Sequence, residues 1–302
     1  MNKAASVKDA SLDERALLQA RILARLFRQR VQASIETQGP LKAAPVHPST
    51  SHAADRMVLK GGLAMRVVHH SMRHTKDIDL DADHDLSLGC VQTAVRRAIK
   101  EATAGGWLDS VQITEPKQTA TVARWKIQGV LPSTGAVMHL TVEVSFRHHL
   151  EAGETTTHAY AVPRDTGGIE HVDVPVYRDQ VRLTQKIEAL LSPTRDAPRD
   201  VVDLFIMFQA GISVPAATLA DRLQGRPSTA LVKELWNKLD SMDEARFRTE
   251  ILPHWDLAEL PPEWRDWEQI RLYVGEKIEA LLLEAPPASA PPSGTLGRVL
   301  LR

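Results

Sequence analysis

Two aspartates one residue apart, Asp77 and Asp79, stand in a short apolar stretch that reads as a strand over Asp77–Leu80. Side chains alternate across a strand, so both carboxylates share one face while Ile78 and Leu80 take the other. Carboxylates paired in this way are hard oxygen ligands that suit one or two Mg²⁺ ions. Upstream, Lys60-Gly61-Gly62-Leu63-Ala64-Met65-Arg66 sets two glycines directly before a helix read over Leu63–Met72. Glycines there let a phosphate approach backbone N–H groups, and the helix dipole favours the anion. A triphosphate held at the glycine turn would meet metals held by the aspartates, as phosphoryl transfer requires. Arg66 or Arg73 could neutralise charge developing in the transition state. Thr75, two residues before Asp77, shares the metal-binding face on an extended backbone. Alone, a Gly-Gly is more often a tight turn and an Asp-x-Asp a solvated strand face; together they point to a nucleotide site.

Further chemistry lies downstream. In His139–Phe146 the residues Leu140, Val142, Val144 and Phe146 form an apolar face, and Glu143 sits on the polar one. Glu143 is either a third metal-binding carboxylate or a solvated strand glutamate. Lys186 borders the apolar stripe Leu183, Ile187, Leu190 and Leu191 of a helix; it either snorkels to water or supplies a point charge to a triphosphate. Asp200 and Asp203 follow at i,i+3 on another helix. Asp203 lies among apolar residues and needs a partner, for which Lys186 or a nearby arginine is suited.

Other patterns carry less. Asp77, Asp79, Asp81, Asp83 and Asp85 imitate a calcium loop. The required glycine and final glutamate are missing from either register, so Asp81, Asp83 and Asp85 read as solvated loop residues. His70 and His74 at i,i+4 lack an evident third ligand for zinc. His148 and His149 read as exposed, Arg96, Arg97 and Lys100 as a solvated basic helix face, and Trp255, Trp264 and Trp267 as helical core.

The elements that position these residues follow from periodicity. Ser11 to about Glu36 reads as a helix with Ser11 and Glu14 in capping-box position, and Gly39–Ala54 as a loop. Leu86–Ala104 reads as a helix. Thr119–Gln128, Ala136–Phe146, Thr157–Pro163 and Ile169–Tyr177 read as strands. Helices are read at Asp179–Leu191, Arg199–Ala210, Pro215–Leu223, Ser228–Leu239 and Trp264–Leu283. The expected fold is α+β: a mixed sheet flanked by helices over residues 1–177, a helical domain over 178–285, and a disordered Pro/Ala/Ser-rich tail over 286–302. The chain of 302 residues carries 43% hydrophobic and 25% charged residues and a net charge of −1. Those values suit a globular protein and advertise no nucleic-acid partner. The single cysteine, Cys90, excludes an intramolecular disulfide, and no apolar run is long enough to span a membrane. A cytoplasmic protein is expected.

Taken together, Lys60-Gly61-Gly62-x-Ala64-x-Arg66, Arg73-x-Thr75-x-Asp77-Ile78-Asp79-Leu80, Lys186-Ile187-x-Ala189-Leu190 and Arg199-Asp200-x-x-Asp203-Leu204 resemble the AbiEii/AbiGii family of nucleotidyltransferase toxins, over about residues 12 to 210. The resemblance implies a DNA polymerase β-like nucleotidyltransferase fold, an NTP donor, Mg²⁺ and a cognate antitoxin protein. In some members the acceptor is RNA, at the tRNA 3′ end. It maps Gly61 and Gly62 to the phosphate turn, Asp77 and Asp79 to the metal ligands, Lys186 to the family lysine, and Asp200 or Asp203 to the later acidic position. Leu63 departs from the family's usual Ser or Thr. Two other readings use the same residues: a nucleotidyltransferase acting on a small molecule of the aminoglycoside type, and an inactive module that docks a partner.

Overall fold

Leu18, Ile22, Leu23, Leu26 and Phe27 recur at helical spacing and are all buried; they form the core-facing stripe of α1 (Lys3–Phe27). The helix begins at Lys3, so Ser11 lies inside it rather than capping it. Residues 3–10 hold no glycine or proline, and a nucleated helix propagates through such residues. The computed structural model describes residues 3–27, 51–71, 74–164, 167–196, 198–223, 226–254 and 265–284. The end of the first helix, most of the 39–54 loop, Arg73, Trp255, Trp264 and the tail from 286 lie outside the described residues. Ser51–Asp55, read in part as loop, is the short helix α2.

Two compact units divide the chain between Arg178 and Asp179. The first holds β1 (Met57–Lys60), α3 (Gly61–His69), β2 (Asp77–Ala82), α4 (Leu88–Thr103), β3 (Asp109–Gln118), β4 (Val122–Val130), β5 (Val137–Ser145), β6 (Thr155–Pro163) and β7 (Ile169–Tyr177). These strands form one seven-stranded sheet in the order β3-β4-β5-β2-β1-β7-β6. It is mixed: β2 runs parallel to β5 and antiparallel to β1, and β1 runs parallel to β7. Ile78, Leu80, Val142 and Val144 join Leu18, Ile22, Val91 and Val95 in one core, so α1 and α4 cover the apolar face of the central strands.

Strand β3 escapes the sequence reading because almost none of it is buried. An edge strand without a core-facing set shows no alternation, and Pro116 reads as a breaker. Pro116 falls where the β3–β4 register shifts between Thr114 and Lys117, a bulge that tolerates the missing N–H.

The second unit is helical: α5 (Asp179–Leu190), α6 (Pro198–Gln209), α7 (Ala216–Arg222), α8 (Ser228–Asp240), α9 (Glu244–Glu250) and α10 (Trp267–Glu284). Helix α6 is its centre, with Asp200 to Phe208 all buried. Helix α10 packs against α8 at Gly275, where a Cβ would meet the Trp236 ring at 2.5 Å. Trp267 is buried as expected and stacks on Phe247 with ring centroids 5.2 Å apart. The seven-residue α9 is too short to show a period.

Candidate functional site

The polar face of the sheet's centre carries a row of charge. Strand register aligns Arg124 of β4 with Glu143 of β5, Glu143 with Asp79 of β2, and Asp79 with Lys60 of β1. Two adjacent carboxylates are thus flanked by a cation on each side. Asp77, two residues along, shares this face, and both aspartates are half-buried. Period-2 alternation therefore delivers the pair as expected. Arg15 of α1 has its guanidinium pKa lowered by burial, an effect that the nearby Asp77 carboxylate partly offsets. Gln19 of α1 donates to the carbonyls of Thr75 and Asp77, at 3.1 and 3.4 Å.

Gly61 determines how this row meets α3. Its φ is +70°, and a Cβ there would lie 2.3 Å from Asp79 Oδ2. The first glycine is thus required because the Asp79 carboxylate packs against it. Both glycines stand inside the first turn of α3, not before it, with Lys60 at the cap position. The Lys60 side chain makes no capping hydrogen bond, so the helix N-terminus meets the carboxylates without a side-chain cap.

Several expected residues have other partners. Lys60 Nζ lies 2.5 Å from Asp81 Oδ1, and the Tyr177 hydroxyl donates to Asp81 Oδ2 at 2.8 Å. Asp81 is therefore a buried strand residue, 1% exposed, rather than part of a solvated loop. Asp83 is buried as well, and Asp85 alone of the three is exposed. The alternation that selected Asp77 and Asp79 continues to Asp81; reading the strand as ending at Leu80 hid it. Glu143 accepts two bonds from Arg124, one at 2.7 Å, both on Oε2, so Oε1 keeps its lone pairs. Arg66 reaches His74 Nδ1 at 3.0 Å. Burial raises the Tyr160 pKa, and Arg66 opposes that rise. The i,i+4 histidine pair dissolves because α3 ends at His69 and His70 turns left-handed at φ 49°. The Thr75 hydroxyl accepts the Asp77 N–H at 3.3 Å, tying down the start of β2. Arg96, read as solvated, pairs with Glu115.

The second unit gathers its own cluster. Lys186 Nζ is 2.6 Å from Asp203 Oδ2 and 3.1 Å from Asp200 Oδ1. Arg195 adds a two-pronged pairing to Asp200, its Nε 2.5 Å from Oδ2. Lys186 is thus the partner that buried Asp203 required. Burial pushes the Asp200 carboxyl up, but Lys186 and Arg195 together outweigh it and hold it below the ordinary carboxylate range.

A glycine-opened helix packed against paired strand carboxylates in a mixed sheet is the arrangement that the sequence resemblance to nucleotidyltransferases implies. The family model described as "Nucleotidyl transferase AbiEii toxin, Type IV TA system" matches residues 47–280. The chain belongs to this family of nucleotidyltransferase toxins, whose activity implies an NTP substrate and whose system implies an antitoxin partner. Among solved structures it is similar to JHP933 from Helicobacter pylori, at 17% identity and TM-score 0.47, covering 76% of this chain and 84% of that one. It is also similar to MenT4, a nucleotidyltransferase toxin from Mycobacterium tuberculosis, at 14% identity and TM-score 0.43, covering 95% and 100%. No curated protein matches the chain. Among the described residues no helix is long and apolar enough to cross a membrane.

Proposed function

We propose that this toxin transfers a nucleoside monophosphate from an NTP to the 3′ end of an RNA, of the tRNA class, with Mg²⁺ held by Asp77 and Asp79. One observation carries the reading: Asp79 packs against Cβ-less Gly61 at the first turn of a helix whose cap position makes no side-chain bond, with Asp77 on the same strand face. The donor set fits Mg²⁺, since it consists of hard carboxylate oxygens. Bound there, the ion would supply charge neutralisation at the transferring phosphoryl group and ease deprotonation of the acceptor hydroxyl.

The protein's own residues do the rest. Backbone N–H groups of the first α3 turn, at Gly61 and Gly62, bind triphosphate oxygens. Asp77 and Asp79 would hold the cation beside the first turn of α3. Glu143, held by Arg124 through Oε2, stands beside Asp79 in register; the three carboxylates do not converge on one point, so its Oε1 would have to close toward the pair to serve as a third ligand. Lys60 holds β1 against β2 through Asp81, and Thr75 fixes the backbone of Asp77. Arg66 and Arg73 are the candidate cations for charge that builds on the phosphates. Lys186, with Asp200 and Asp203, is proposed as a further nucleotide-binding lysine set by its carboxylate partners.

The test incubates purified protein with labelled NTPs, Mg²⁺ and total RNA, with an aminoglycoside in a parallel reaction. Label is expected in RNA, and it should be lost in folded Asp77→Ala and Asp79→Ala variants by at least about 10²-fold, the scale of removing charge stabilisation at a transferring group. Near-normal transfer by either variant overturns the metal assignment. Label confined to the small molecule replaces the RNA reading, and no turnover with any NTP identifies a partner-binding module.

A further inference from the structure

A second cluster of ligand-type side chains lies beyond the end of β2. Asp83 Oδ1, His84 Nδ1 and His149 Nδ1 form a triangle with edges of 3.0, 3.2 and 3.2 Å. Tetrahedral zinc with bonds of about 2.0–2.1 Å separates its ligand atoms by about 3.3 Å, close to these edges. No other group of three His, Cys, Asp or Glu side chains converges this tightly among the described residues.

The surroundings prepare the three atoms as ligands. Asp85 Oδ1 lies 2.7 Å from His84 Nε2. A carboxylate accepts, so the neutral ring carries its proton on Nε2 and presents a bare Nδ1 to the triangle. Arg56 takes the other oxygen of Asp83, Oδ2, at 2.9 Å, which turns Oδ1 toward the two imidazoles. One proton on His149 Nδ1 can serve a single edge of the triangle; the remaining edges set lone pair against lone pair. A cation at the centre satisfies all three atoms together.

We propose that Asp83, His84 and His149 bind a divalent transition metal, with Zn²⁺ as the favoured ion. Two borderline imidazoles and one hard carboxylate oxygen form a mixed set that zinc accepts, and zinc outcompetes iron for such sites in the general affinity order. The site is separate from Asp77 and Asp79 in both residues and ligand chemistry. Both imidazoles are more than half exposed, at 52% and 59% for their side chains, so the fourth position faces solvent. The ion would clip the segment after β5 to the end of β2, residues 66 apart in sequence.

The test uses the full chain without a histidine tag, stripped with a chelator and dialysed against Zn²⁺. One bound zinc per chain is expected by elemental analysis, and Co²⁺ in its place should give the visible absorption of a low-coordinate site. His84→Ala and His149→Ala should each remove that ion while circular dichroism stays native, since both side chains are exposed. Asp85→Asn should weaken binding about 10–100-fold by loosening the His84 tautomer. Asp77→Ala should leave zinc binding unchanged, which separates this site from the proposed magnesium site. Absence of bound zinc in the native chain overturns the proposal, as does a zinc stoichiometry that survives the His84→Ala/His149→Ala double variant.

Discussion

Gly61 is the residue on which the nucleotide site turns. Its positive φ costs a non-glycine residue about 1–2 kcal/mol, and a Cβ would sit 2.3 Å from the Asp79 carboxylate. The backbone of Asp79 is fixed in a central strand between β1 and β5, so the end of its side chain is what must move aside. Gly61→Ala should therefore push the carboxylate off its position and lower transfer by about 10-fold or more, given the sensitivity of catalysis to small misplacements. Stability should fall only by about the left-handed penalty. Kinetics and denaturant melting on the same preparation measure both effects. A Gly61→Ala protein with unchanged transfer would mean that the contact is packing alone.

At the level of elements, Asp81 joins three neighbouring strands: it lies on β2, pairs with Lys60 of β1 and accepts from Tyr177 of β7. Breaking a buried pair by deleting one partner costs about 3–5 kcal/mol, so Asp81→Ala should destabilise by that order. Tyr177→Phe, which leaves Asp81 its lysine, should cost about 1–3 kcal/mol. Urea denaturation of the two single variants and the double measures the coupling; additive losses would show that the strands are not joined through this carboxylate. The same residue marks how far the sequence could be read. Elements with a one-sided apolar pattern, such as β5, β7 and α4, were legible because burial on one face imposes a period. The face holding Asp77 and Asp79 was legible for the same reason. Long-range pairings were not: nothing in local spacing says that Lys60 meets Asp81, that Arg124 meets Glu143, or that His149 meets Asp83. Those contacts are set by strand order and register, which join residues far apart in the chain. Edge strand β3 failed for the opposite reason, since its largely exposed, polar residues leave no apolar pattern to read.

On the scale of the whole molecule, each unit builds its own buried charge cluster, and the one in the helical unit has consequences for global stability. Asp200 and Asp203 are 1% and 0% exposed on the central helix α6, and the two cations Lys186 and Arg195 balance their two charges. Lys186→Met would leave both carboxylates without their shared ammonium, so a loss of about 3–5 kcal/mol is expected. Lys186→Arg can still bond the carboxylates and should recover much of that stability, yet it should recover NTP use poorly if the ammonium also serves a triphosphate. The two readouts thus separate a structural lysine from a nucleotide-binding one. Acid supplies an independent check. The Asp200 pKa is depressed on folding below its ordinary value of 3.8, so the folded state binds its proton less readily than the unfolded chain. Its stabilising contribution is then fully present above that ordinary value and is lost as pH falls through the lower, folded one. The stability difference between the native chain and Asp200→Asn should accordingly stay constant from neutral pH down to about pH 5, and close below about pH 4. Denaturation midpoints across that range measure it. A difference that grows on acidification would have the wrong sign for a carboxylate stabilised by Lys186 and Arg195, and would show that burial, not pairing, governs Asp200.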